Sequence, residues 1–294
     1  MTRAGSLSAS YGTCRVIARR HGKTYATAAR LLPAEGRRHV HAVYAFCRVA
    51  DDIVDDLDDR PPDERAAALQ SFGDRFRADL AAGSSEHPVL GAVVDTVRTT
   101  GIDPSCFDRF LRSMAMDLAT ATYPTWLSLL DYMDGSAAVI GEMMLPVLRP
   151  ADPAAFEPAR QLGIAFQLTN FLRDVGEDLD RGRVYLPQED IDRFGADPWA
   201  RKVTPSWRSL MRFEIDRTRA IYAAADAGIP MLPARSSRCV AAARVLYARI
   251  LDRIEAADYD VFTHRARVPS SEKAVTALRM LVRPTRVGGP TAGA

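Results

Sequence analysis

The sequence predicts an all-α fold carried by a single domain. Apolar residues recur at intervals of three and four along most of the chain, and Ala, Leu and Arg are abundant. Alternating polar and apolar runs are scarce. That is the periodicity of amphipathic helices rather than of strands. Pro and Gly fall mainly between the periodic stretches: Pro33, Pro61 and Pro62, Gly83, Gly101 with Pro104, Pro124, Pro146, Pro150 with Pro153, Pro187, Pro205, Pro230 with Pro233, and Pro269. These breakers divide the chain into roughly ten helices. No internal repeat or long linker separates them, so one domain over residues 11–285 is the simplest account. Residues 1–10 and 286–294 are small and polar, and both ends are expected to be disordered.

Composition narrows the function. The chain has 294 residues, 47% hydrophobic and 26% charged, enough for a sizeable core. The formal net charge of +2 and the dispersed basic residues give no field for nucleic acid. Cys14, Cys47, Cys106 and Cys239 form no C-x-x-C pair. They are expected to be free thiols in a reducing compartment. No apolar h-region opens the chain, and no apolar run reaches membrane-spanning length. A cytoplasmic protein is expected, with peripheral contact at the inner face of the membrane left open.

Two acidic segments carry the chemistry. In the first, Tyr44, Arg48, Asp51 and Asp55 are spaced by 4, 3 and 4. They form one helical stripe of a phenol, a guanidinium and two carboxylates. Val43, Ala45, Phe46, Val49, Ile53 and Val54 flank it as core types. The competing reading is a solvated charge run, since Asp56, Asp58 and Asp59 follow closely. Those three are expected to be solvated and to end the helix before Pro61.

The second segment runs from Gln161 to Leu179. Gln167, Asn170, Asp174 and Asp178 share one face, with Phe166, Leu168, Phe171, Leu172, Val175 and Leu179 as packing residues. Arg173 is placed to bind a phosphate bidentately. Its alternative is a surface ion pair with Glu177. Two clusters of hard oxygen donors far apart in sequence suggest one Mg²⁺ site built between two helices, with a diphosphate as its usual companion.

These motifs, Tyr44 to Asp56 and Gln167 to Pro187, resemble the squalene/phytoene synthase family. The likeness extends from about His21 to Val268, and it is greatest to the bacterial phytoene-forming branch. The resemblance implies an isoprenoid-synthase helical bundle with a central active-site cavity. It implies a prenyl transferase of carotenoid biosynthesis that condenses two geranylgeranyl diphosphates head to head, through a cyclopropyl diphosphate, to phytoene. It implies Mg²⁺, with Mn²⁺ as an alternative metal, prenyl diphosphate substrates, and no NADPH. Downstream carotenoid enzymes are further candidate partners.

By the same resemblance, Asp51, Asp55, Asn170, Asp174 and Asp178 are metal ligands. Tyr44, Arg48, Asp51, Asp55, Asp174 and Asp178 are catalytic. Tyr44, Arg48, Tyr132, Gln167, Arg173, Tyr247 and Ala29 bind substrate. Asp117 matches a polar cavity position. His264, Arg265 and Arg267 compete for the place of a phosphate-binding arginine that follows Tyr259. The helix with Tyr25 and Ala29 is implied to line the far end of the tail cavity, where Ala26, Ala28 and Ala29 leave room for a C20 chain. Gly135, Ser136, Ala137, Ala138 and Gly141 either admit a prenyl chain near the backbone or serve close helix packing. The rival readings are a squalene, dehydrosqualene or presqualene-diphosphate synthase using farnesyl diphosphate, a chain-elongating prenyltransferase or terpene cyclase, and a catalytically silent helical partner.

Overall fold

The computed structural model describes residues 3–55 and 60–282, and helices dominate throughout them. In order they are α1 (Arg3–His21), α2 (Lys23–Ala29), α3 (Ala34–Val54), α4 (Pro62–Ala82), α5 (Leu90–Thr100), α6 (Ser105–Met116) and α7 (Trp126–Met133). There follow α8 (Val139–Leu148), α9 (Phe156–Asp180), α10 (Gln188–Phe194), α11 (Pro205–Ala225), α12 (Ala234–Ala256) and α13 (Ser270–Val282). A π-helical turn, Asp134–Ala138, joins α7 to α8. Among the described residues the β pairing consists of one isolated parallel bridge, Thr122 to Val184. The all-α, single-domain reading is borne out.

Most helix ends fall at the predicted breakers. Pro33, Pro61, Pro104, Pro187 and Pro233 are the N-caps of α3, α4, α6, α10 and α12. Gly83 and Gly101 close α4 and α5 at φ of 71° and 78°. That left-handed geometry costs a glycine least. Pro146 departs from the pattern, because it lies inside α8, which continues to Leu148.

The N-terminal expectation is corrected. Helix α1 begins at Arg3, and Ser10 is buried, donating to Val89 O at 3.3 Å and accepting from Ala92 N at 2.8 Å. Small polar residues suit close helix packing as well as disorder: a Cβ on Gly91 would meet Ser10 Oγ at 3.2 Å. The tail 286–294 and the aspartates at 56, 58 and 59 lie outside the described residues.

One core centres on Phe46 of α3, whose ring meets those of Phe72, Phe76 and Phe107 at 5.0, 5.1 and 4.8 Å. A second packs α9, α11 and α12 around Trp207, Leu210, Tyr222 and Leu246, each fully buried. Trp207 satisfies its indole N–H on Tyr259 O at 2.9 Å, as a buried donor must. Where α2, α8, α9 and α12 meet lies an apolar cavity.

Charges pin the frame around that cavity. Arg109 of α6 and Arg160 of α9 each pair with both Asp134 of the π turn and Glu142 of α8. Beside this network α9 touches α8 and the π turn backbone to backbone. A Cβ on Gly141 would lie 2.1 Å from Ala159 O, and one on Gly163 would lie 2.3 Å from Ala137 O. Gly141→Ala is therefore expected to destabilise the fold by about 2–3 kcal/mol, since overpacking outweighs the gain in helix propensity. Urea denaturation measures it, and an unchanged midpoint would show that the helices can part freely.

A second charged cluster sits under α7. Arg217 Nη1 contacts Asp190 Oδ2 at 2.8 Å and Glu214 Oε2 at 3.0 Å, and its guanidinium lies 4.4 Å over the Trp126 ring. Two buried acids share one cation. Burial pushes the Glu214 carboxyl up from 4.5 to about 8, with Arg217 opposing and Asp190 adding to the rise. Between pH 4.5 and 8 the folded state thus keeps a proton that the unfolded chain has released, so stability falls as pH rises through that window. Glu214→Gln is expected to flatten this dependence, raising Tm by several degrees at pH 8 and little at pH 4.5. Parallel Tm–pH curves for the two proteins would contradict it.

Candidate functional site

Helix α3 presents its polar stripe along one face, as its 4-3-4 spacing requires. Arg48 Nη1 donates to Asp51 Oδ2 at 3.0 Å, and its other Nη pairs with Asp52. Asp55 is the C-cap of α3, and its N–H donates to Asp51 O at 2.8 Å. Enclosure in the cleft raises the Asp51 carboxyl to about 6, with the Asp55 charge adding and Arg48 opposing.

Helix α9 presents the matching face. Asn170 Nδ2 donates to Gln167 Oε1 at 3.4 Å. Arg173 Nε donates to Asp174 Oδ1 at 2.7 Å, so this guanidinium turns to its neighbour rather than outward to Glu177. Burial alone would raise Asp174, but Arg173 and Arg265 hold its carboxyl below the usual range. Asp178, also buried, is raised to about 8 by burial and by the charge of Asp174.

The two acidic stripes converge. Arg181 Nη1 lies 3.8 Å from Asp55 Oδ2 and 3.9 Å from Asp178 Oδ1, and Arg183 Nη1 donates to Asp55 Oδ1 at 2.8 Å. The charge of Asp55 also raises Asp178 across the gap. Among the described residues no three acidic, histidine or cysteine side chains enclose a metal ion by themselves. The donor set still fits a cation. Two of its carboxylates are pushed up by burial and by neighbouring acids, Asp51 by Asp55 and Asp178 by Asp174, and hard oxygen donors of this kind suit Mg²⁺ when water and phosphate complete the shell.

Next to the acids stands an aromatic wall. The rings of Tyr25 and Tyr44 are 6.1 Å apart, Tyr25 and Tyr247 are 5.0 Å apart, and Phe166 and Tyr247 are 4.4 Å apart. Gly22 makes room for this wall, since a Cβ there would lie 2.7 Å from the Tyr44 ring. Tyr132 is fully buried and donates to Asp117 Oδ2 at 2.7 Å, while Tyr185 donates to Asp117 Oδ1 at 3.2 Å. Burial raises Asp117 to about 6, tempered by the Tyr132 hydrogen bond.

Beyond the wall the cavity is apolar. Tyr25 and Gln167 border it along with Ala28, Ala29, Leu32, Met144, Cys239 and Ala243. Ala29 is where the tail-cavity reading places it. Ser136, Ala137 and Gly141 line the cavity too. Gly135 serves packing, because its Cβ would meet Arg109 O at 2.4 Å. Gly141 does both.

The structure thus brings the acidic stripes of α3 and α9 together, sets Ala29 and Gln167 on the cavity, and buries Tyr132 against Asp117. It also separates the three C-terminal candidates. All three are exposed, but Arg265 Nε donates to Asp174 Oδ1 at 2.8 Å and Arg265 Nη1 reaches Glu177 at 3.3 Å, whereas His264 lies against Thr263 and Asp260 and Arg267 makes no ion pair among the described residues. Sequence reasoning gave no role to Arg181, Arg183 and Tyr185, although all three lie within the second motif. It also missed Lys23 and Lys273. The Lys273 ammonium is pulled below the usual lysine range by burial and by the like charges of Lys23 and Arg173. Like charges from α2 and α9 thus act on Lys273 of α13.

Fold and cleft together define an all-α protein that gathers carboxylates and guanidiniums at the head of an apolar cavity. A family model described as squalene/phytoene synthase matches residues 18–272, and the chain belongs to that family. It is 38% identical to the phytoene synthase of Arthrospira platensis, with 90% of each chain covered. It is 35% identical to the 15-cis-phytoene synthase of Synechococcus elongatus, with 95% of each covered. Among solved structures it resembles a dehydrosqualene synthase in complex with ligand, with a TM-score of 0.86, 26% identity and coverage of 96% of this chain and 98% of that one. It also resembles the squalene synthase HpnC from Alicyclobacillus acidocaldarius, with a TM-score of 0.78, 28% identity and coverage of 88% and 99%.

Proposed function

We propose that the protein is a phytoene synthase, a prenyltransferase that condenses two geranylgeranyl diphosphates head to head and releases diphosphate. One observation carries the site reading: Asp55 and Asp178, from separate helices, share Arg181, and α9, which carries Asp178, also borders the apolar cavity through Phe166 and Gln167. Near-full-length identity to curated phytoene synthases supports the product.

Asp51, Asp55, Asn170, Asp174 and Asp178 would hold Mg²⁺. When bound, Mg²⁺ neutralises diphosphate oxygens and so eases departure of the leaving group. The chain's own groups do the rest. Arg48, Arg173, Arg183 and Arg265 are paired to carboxylates in the structure, and a diphosphate gives these guanidiniums a second anion to bind. The cavity from Ala28 to Ala243 excludes water from the allylic cation left behind. The faces of Tyr25, Tyr44 and Tyr247 line the passage between cleft and cavity, where they stabilise cationic charge. The first step joins that cation to the double bond of the second substrate and, with loss of a proton, closes a cyclopropyl diphosphate. The second ionises it, rearranges the skeleton and loses a proton.

A product assay tests this. Purified protein, Mg²⁺ and geranylgeranyl diphosphate, without NADPH, are expected to yield a C40 hydrocarbon by mass spectrometry. A C30 hydrocarbon or presqualene diphosphate from farnesyl diphosphate, with no C40 product, would overturn the choice of substrate.

A further inference from the structure

Helices α1 and α3 lie side by side and run in the same direction. Towards their starts, Tyr11 Oη lies 3.2 Å from His39 Nδ1, and the Arg38 guanidinium lies 4.9 Å over the Tyr11 ring. At the far end of α1, a Cβ on Gly22 would lie 2.7 Å from the Tyr44 ring. Between those two contacts Arg15 and Arg19 of α1 pass His41 of α3, with Arg37 one turn before it. Arg15 and Arg19 stand at i and i+4, as do Arg37 and His41, so each pair shares one helix face. Arg37 and His41 also extend the polar stripe of α3, since positions 37, 41, 44, 48, 51 and 55 are spaced by 4, 3, 4, 3 and 4.

Four basic side chains meet along this seam with no acid among them. Neither α1 nor α2 contains an Asp or Glu. Glu35, in the first turn of α3, exerts its charge on His39 rather than on His41. Arg15 and Arg19 are exposed and Arg37 is half-buried, and none of the three makes an ion pair among the described residues. Cleft and frame arginines differ: Arg48, Arg109, Arg173 and Arg217 each hold a carboxylate. His41 is only 6% exposed, and its imidazole makes no hydrogen bond or ion pair among the described residues. Burial, then Arg37, Arg19 and Arg15, push it down to about 4. A buried base ringed by unpaired guanidiniums is unfavourable until an anion joins them.

We propose that Arg15, Arg19, Arg37 and His41 form a second anion site, outside the catalytic cleft, that takes a soluble phosphate ion. Guanidinium forks match phosphate oxygens bidentately. The anion also offsets the charge that keeps a proton off His41, so the imidazole can become a further donor. Bound one turn from Tyr44, the phosphate ties α1 to α3 beside the aromatic wall. The site goes beyond the phytoene reading and does not depend on it.

The test is titration of the full chain with inorganic phosphate at pH 6 in EDTA, against sodium chloride of equal ionic strength. Histidine ring NMR signals, assigned with His41→Gln, read the site, and thermal melts read the stabilisation. Phosphate is expected to raise the protonated fraction of His41 about tenfold and Tm by about 2–4 °C, and chloride to do neither. Arg15→Gln with Arg19→Gln should melt at or above the parent in chloride, because like charges are relieved. It should weaken phosphate binding at His41 by about tenfold or more. Neither arginine pairs with a cleft residue, so C40 formation should stay at parent level. Phosphate bound in the cleft would stabilise parent and double variant alike, so the difference between them isolates the seam. An unmoved His41 signal would overturn the proposal, as would equal affinity in the two proteins or a shift that chloride reproduces. A response to phosphatidylglycerol vesicles but not to phosphate would overturn the assignment to a soluble ion. Absence of C40 product in the parent, with His41 responding as expected, would strike the functional reading and leave the anion site standing.

Discussion

Asp51→Asn is expected to lower kcat/KM by about a thousandfold and to leave Tm at or above that of the parent. The two effects share one origin. Asp51 sits beside Asp55 in a cleft whose enclosure raises its carboxyl from 3.8 to about 6. An acid raised on folding makes the fold less stable as pH climbs through that interval, and the cost persists at neutral pH. Asparagine keeps the shape and removes the charge, so the fold loses a penalty while the site loses an anionic donor. Arg48 keeps Asp52 as a partner in the variant. Asp52 is also the control: it pairs with the other Nη of Arg48, its side chain 53% exposed against 44% for Asp51. Asp52→Asn should cost less than about tenfold, in line with the small worth of exposed pairs. Steady-state kinetics and thermal melts on the two variants decide the matter. Equal losses of activity would mean that the stripe reading misassigns the functional face of α3.

That stripe shows what a helix makes legible in sequence. Tyr44, Arg48, Asp51 and Asp55 read as one face because helical spacing alone aligns them, and Gln167, Asn170, Asp174 and Asp178 read as another for the same reason. The breakers served equally well where a helix actually ends. They misled at Pro146, two residues short of the end of α8, where only the last turn is affected. What stayed hidden depends on tertiary approach. Arg181 bridges two helices, and nothing in its own spacing names Asp55 as a partner. Lys273 comes to the cleft only because α13 folds back along α12 and α2, about a hundred residues after Arg173. Small residues were ambiguous for a sound reason. Gly141 faces the cavity and also carries the contact with the Ala159 carbonyl, so the two meanings offered by sequence coexist at one position. Ser10 shows the same ambiguity at the N-terminus, where a small polar residue packs rather than frays.

Ala29→Phe should move the enzyme from C20 to C15 substrates. Ala29 is 2% exposed to solvent and faces the tail cavity opposite Cys239 and Ala243 of α12, so an added ring enters space that a prenyl tail needs rather than space already packed. Pocket discrimination of about one to two orders of magnitude arises from a single methylene. A phenyl ring excludes an entire isoprene unit, so kcat/KM for geranylgeranyl diphosphate is expected to fall by at least about a hundredfold. The acids and guanidiniums of the cleft are unchanged, so farnesyl diphosphate should still ionise and give a C30 product. Tm should hold or rise, because filling a cavity adds apolar contact. The comparison of two substrates in one variant separates a blocked tail from a damaged cleft, since damage would depress both. If Ala29→Phe still formed C40 product at the parent rate, the tail would have to run elsewhere, and the small residues of α8 that border the cavity, Gly141 above all, would become the place to look.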